Sequence, residues 1–128
     1  MCLLIKGSRK KAIEDIPCYK VLRKYNKMLV SPFQFFVTQD YNVVWKVNET
    51  KTDTRKGKRN NGQIGEGYFH SYENFVDAMA CLNVIPMVPM KIFKAIIPKG
   101  TWYYEGYVNG DPGYASKSLR IDKEITLR

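Results

Sequence analysis

In two runs of this chain, 18–24 and 120–127, apolar residues alternate with polar ones, the spacing of a strand with one wet face. Pro17 opens the run Cys18-Tyr19-Lys20-Val21-Leu22-Arg23-Lys24, which alternates in this way. Met28-Leu29-Val30 is a shorter extended piece ending at Ser31-Pro32, where proline turns the preceding residue away from helix. Phe33, Phe35 and Phe36 are expected to pack a turn against the core. Further strands are expected over 41–48, 64–69, 91–97, 101–108 and 120–127, each rich in β-branched or aromatic residues. Pro98-Lys99-Gly100 and Asn109-Gly110-Asp111-Pro112-Gly113 read as turns between them.

The period changes once. Phe75, Ala78 or Met79, and Leu82 recur at helical spacing, so a helix is predicted over 72–83. Ser71 is its expected N-cap and Glu73 lies in its first turn, where the macrodipole favours a carboxylate. Pro86 and Pro89 forbid its continuation. The sum is an α+β domain, a mostly antiparallel sheet with one main helix packed on it. Residues 1–128 form one domain, and 51–63, with five basic residues and no large apolar side chain, reads as an exposed basic loop.

Composition narrows the function. The chain has 21 Lys and Arg against 12 Asp and Glu, a formal charge of +9. Such a field draws anions, so nucleic acid such as an RNA, a nucleotide, or an acidic protein surface is the natural partner. No apolar run spans a bilayer, which predicts a cytoplasmic protein without a membrane partner. Cys2, Cys18 and Cys81 are too widely spaced for a zinc site or a disulfide framework, and Cys18 and Cys81 read as buried thiols. Glu66, Glu105 and Asp111 are scattered along the sequence, with nothing local to pair them for metal or glycosidic chemistry. Nucleophile motifs are missing and no P-loop ending follows Gly57 or Gly62. No cofactor is expected, and the chain leans away from enzymes.

Three features carry candidate chemistry. His70, between a strand and the helix, suits a hydrogen bond to a ligand carbonyl or phosphate, or to backbone that it fixes. Trp102, Tyr103, Tyr104 and Tyr107, with Tyr68 and Tyr72, form an aromatic set of which one strand face goes to the core and the other offers a stacking surface. Arg55, Lys56, Lys58 and Arg59 in the basic loop would steer a phosphate electrostatically, and Ser116 and Lys117 would donate to it, unless they merely connect strands. The expected ligand-binding residues are thus His70, Tyr72, Trp102, Tyr104, Ser116 and Lys117.

The segments Cys18-Tyr19-Lys20-Val21-Leu22, Gly67-Tyr68-Phe69-His70-Ser71, Ile97-Pro98-Lys99-Gly100-Thr101 and Tyr114-Ala115-Ser116 resemble a group of small proteins from Bacteroides-type gut bacteria and their phages. That resemblance covers most of the chain and implies a phage accessory role, antagonising host defence by gripping a nuclease or sequestering a nucleotide signal, so that the expected partner is a nucleotide, an RNA or a host nucleic-acid-binding protein. A fainter likeness, through the strand with Tyr19 and the helix with Asp77-Ala78, is similar to the ADP-ribosyltransferase-like fold. It implies a nucleotide site and, as the alternative function, a nucleotide-acting enzyme with His70 in the site. Tyr19 stands where that family's Arg or His pivot is expected, and Leu119 and Arg120 near its catalytic Glu. A third function is a pure protein–protein inhibitor anchored by the aromatic hairpin.

Overall fold

The computed structural model describes residues 3–25, 28–30, 44–57, 59–65, 67–81, 90–108 and 110–125. In chain order the strands are β1 (Leu3–Ile5), β2 (Lys10–Lys11), β3 (Ile16–Tyr25), β4 (Met28–Val30), β5 (Thr50–Thr52), β6 (Arg59–Asn60), β7 (Gln63–Ile64) and β8 (Phe69–Tyr72). The helix α1 (Phe75–Cys81) follows, then β9 (Met90–Ile97), β10 (Trp102–Val108), β11 (Asp111–Ser116) and β12 (Ser118–Ile125). All pair antiparallel in one sheet, in the order β5-β12-β9-β3-β8-β11-β10-β1-β7-β6, with β2 added to β10 and β4 to β3.

The expected α+β class is overturned. The fold is dominated by its sheet, and α1 has seven residues, too few to be a layer of its own. The helical period begins later than the sequence suggests. Ser71 and Tyr72 lie in β8, paired with Tyr114 and Gly113, and Asn74 takes the cap position, its carbonyl accepting from the Ala78 amide at 3.2 Å. The Asp111-Pro112-Gly113 part of the expected turn belongs to β11, and 50–64 contributes β5, β6 and β7. Strands of two or three residues have no periodicity to read; partners elsewhere in the chain hold them in place. Residues 41–43, Phe33, Phe35, Phe36, Lys58, Cys2 and the helix beyond Cys81 lie outside the described residues.

Both faces of the sheet carry core. On one, Cys18, Leu22, Phe69, Phe93, Ala95, Ile97, Tyr103, Tyr114, Leu119 and Ile121 pack with Trp45 and Ala12. We call this the Phe93 face. On the other, the Tyr104 face, Val21, Tyr72, Ile92, Tyr104, Val108 and Ala115 pack with Leu3, Ile64, Tyr68 and Ala78 of α1. The second core exists because the sheet curls. β7 lies four ladders from β8, yet the carbonyl of Ile64 is 3.0 Å from the His70 ring. Two glycines permit the curl. Gly106 and Gly113 pair across β10 and β11, and a Cβ at either would collide with backbone, that of Leu4 and of Ser71 respectively.

Candidate functional site

Register places most of the expected residues on the Tyr104 face, in successive rows across β8, β11 and β10. His70, Ala115 and Tyr104 form one row, and Tyr72, Gly113 and Gly106 the next inward. Toward the rim the row is Tyr68, Lys117, Trp102 and, through β2, Lys11. The candidate site therefore runs from a buried interior to an open edge.

The interior is packed. Tyr72 and Tyr104 are buried, and Tyr104 meets Tyr68 edge-on at a ring separation of 5.6 Å. His70 Nε2 lies 3.0 Å from the Ile64 carbonyl, which requires the tautomer carrying its proton on Nε2 and donating it there. Burial pushes the imidazole down to about 4; the hydrogen bond to Ile64 opposes this, and the charge of Lys20 adds to it. His70 is thus a neutral stitch that holds the curled sheet closed. The contact it makes is the backbone-fixing one among the roles expected from sequence. Lys20, itself buried, donates to the His70 carbonyl at 2.6 Å from the Phe93 face. Cys18, as expected, is a buried thiol, its pKa pushed up to about 12 chiefly by burial.

Ser116 does not share the site. Its alternation puts it on the Phe93 face, fully buried, where its hydroxyl has no hydrogen-bond partner among the described residues. Lys117 is on the correct face but engaged. Its ammonium donates to the carbonyls of Arg55 and Gly67, each at 2.7 Å, and lies 4.5 Å over the Tyr68 ring. Burial pulls its pKa down, Asp53 opposing. Arg55 is likewise tied: its guanidinium binds both carboxylate oxygens of buried Asp53, at 3.3 and 3.1 Å. These contacts clamp 53–57 across 67–68, and the crossing is so close that a Cβ on Gly57 would overlap the Tyr68 ring. Gly67, with φ +85°, needs glycine for its backbone angle as well as for room. Lys56 and Arg59 are exposed.

The rim is different in kind. Trp102 is 41% exposed, and the Arg9 guanidinium carbon sits 4.4 Å from its ring centroid, with the Lys11 ammonium at 5.7 Å. Pairing of Trp102 with Lys11 brings this arm to β10. Arg9 also reaches Tyr68, where its hydrogen bond and charge partly offset the rise that burial imposes on that phenol. Arg9 and Lys11 were absent from the residues expected in the site. The sequence does show their basic run, but nothing in it joins positions 9–11 to position 102. Only the ladder between β2 and β10 does.

Among the described residues no group of three or more His, Cys, Asp and Glu is placed to hold a metal. No helix among them is long and apolar enough to cross a membrane. Comparisons with family models, with curated proteins and with solved structures found no match to this chain.

Proposed function

We propose that this protein captures an anionic partner of nucleotide or single-stranded RNA type at the Trp102 rim. The observation that carries this reading is a half-exposed indole with a guanidinium and an ammonium held against it. An aromatic face stacks any base, and a guanidinium plane extends the stack while its charge meets phosphate. The excess of nine positive charges adds long-range attraction for such a partner. The resemblance to small phage proteins supplies a setting: a sequestered nucleotide signal or RNA would blunt a host response without turnover. Tyr68 meets Arg9 and, edge-on, Tyr104, and the Lys117 amide donates to the Trp102 carbonyl at 3.0 Å, which ties the platform to the packed interior.

The test is anisotropy of a labelled single-stranded oligoribonucleotide, with AMP as competitor, at low salt. Stacking on an aromatic residue contributes about 1–3 kcal/mol per base, so Trp102→Ala is expected to weaken binding roughly tenfold or more. Arg9→Ala should weaken it as well. Equal binding by wild type and Trp102→Ala would sink the proposal. So would failure of both probes combined with nuclease-resistant capture of a host protein, which is the behaviour of a protein inhibitor.

A further inference from the structure

The opposite face of the same hairpin carries a cleft lined by two carboxylates. Glu105 and Tyr114 are direct cross-strand partners on the Phe93 face, and Tyr107 stands two residues along from Glu105. The Glu73 amide donates to the Pro112 carbonyl at 3.1 Å, which brings Glu73 to this end of β11. Together with Lys6 these side chains line a cleft of about 210 Å³. Its size suits one long side chain or a small molecule.

Three observations suggest what the cleft takes. Glu73 is exposed and has no ion pair among the described residues, in a chain where cations outnumber acids by 21 to 12. Tyr114 is 8% exposed and lines the cleft, and its hydroxyl has no hydrogen-bond partner among the described residues. Tyr107 offers a ring that is 39% exposed. Burial, then the charges of Glu73 and Glu105, push the Tyr114 phenol up to about 12, so the hydroxyl keeps its proton. That hydroxyl can donate to a carboxylate while its lone pairs accept from a ligand.

We propose that the cleft between Glu73 and Glu105 is a receptor for a guanidinium group, with Tyr114 accepting one of its N–H bonds and Tyr107 stacking on its plane. A guanidinium presents five donors in one plane, enough for two separated carboxylates and a hydroxyl, and it stacks on aromatic rings; an ammonium has three donors and holds its water more tightly. Glu105 already binds Lys10 at 3.0 Å, but that pair is solvent-exposed, so a ligand replaces one cation by another at small cost. Lys6 lines the same cleft. Contact geometry, and not the field of the basic chain, must therefore select the ligand. The site is independent of the Trp102 rim, which lies on the other face.

The experiment is a titration of the intact chain, followed by the ring resonances of Tyr107 and Tyr114. The probes are N-acetyl-arginine methylamide, agmatine and N-acetyl-lysine methylamide. Both guanidinium probes should shift the two rings saturably, and the lysine probe should bind roughly tenfold more weakly. Tighter binding of the blocked arginine identifies a partner polypeptide as the source, and tighter binding of agmatine a free metabolite. Glu73→Gln, at an exposed position that leaves the fold intact, should weaken binding roughly tenfold, and Tyr114→Phe should weaken it by removing only the hydroxyl. No saturable shift, equal binding of the lysine probe, or binding indifferent to Glu73→Gln each overturns the proposal.

Discussion

His70 shows how a single polar residue holds a curved sheet. Its ring spans from β8 to the Ile64 carbonyl of β7, two strands that share no ladder. Burial holds the folded imidazole near pKa 4, against 6.5 when unrestrained. Between these values the unfolded chain takes up a proton that the fold excludes. Stability from this residue is therefore complete above pH 6.5 and is lost as pH falls toward 4, by on the order of 3 kcal/mol. His70→Gln keeps an N–H for Ile64 and cannot titrate, so its urea midpoint should fall less than the wild type's between pH 7 and pH 4.5. An identical fall in both proteins would show that His70 is not the group responsible. As a residue His70 stood out from the sequence; its partner did not. A carbonyl six positions back is too near in sequence to suggest a bridge across four ladders.

At the scale of elements, the clamp between 53–57 and the corner of β11 and β12 supports the rim. The Lys117 ammonium satisfies two carbonyls from segments 50 and 62 residues away, and the Asp53 amide donates back to the Lys117 carbonyl at 2.8 Å. Lys117→Met keeps the aliphatic stem and removes the donors. It should cost about 2 kcal/mol in chemical denaturation, since two carbonyls lose a charged partner. Faster amide exchange at Asp53 should accompany this loss; unchanged exchange there would show that the corner is held by other contacts. Of the longer elements, β3 and β12 were legible as strands by their alternation, and β9 and β10 by their β-branched and aromatic content between turn signals. The helix was legible in type but begins three residues later than the expected start at 72, because pairing with β11 keeps Tyr72 extended. The pairs β2, β5, β6 and β7 were not legible. Each is only two or three residues long: β2, β5 and β7 are placed by ladders to β10, β12 and β1, and β6 by its hairpin with β7.

For the molecule as a whole, charge and topology act separately. The +9 charge predicts salt-sensitive capture of an anion whatever the fold. A plot of log affinity against log salt for the oligoribonucleotide should slope downward. Replacing Lys56 and Arg59 together by Ala should flatten it by up to about two while leaving stacking at Trp102 intact. Binding that does not change with salt would remove the electrostatic half of the reading. Composition, charge and alternation are properties of the chain, and they determined by themselves that this is a strand-rich protein with many aromatic residues and an excess of basic ones. Tertiary structure alone decided which members of that material meet. It put Ser116 on the opposite face, engaged Lys117 and His70 in holding the fold, and brought Arg9 and Lys11 beside Trp102. The reason is geometric. A strand assigns its residues to faces by parity, but which strands become neighbours is set by pairing across the sheet, and β2 reaches β10 over some ninety residues of sequence.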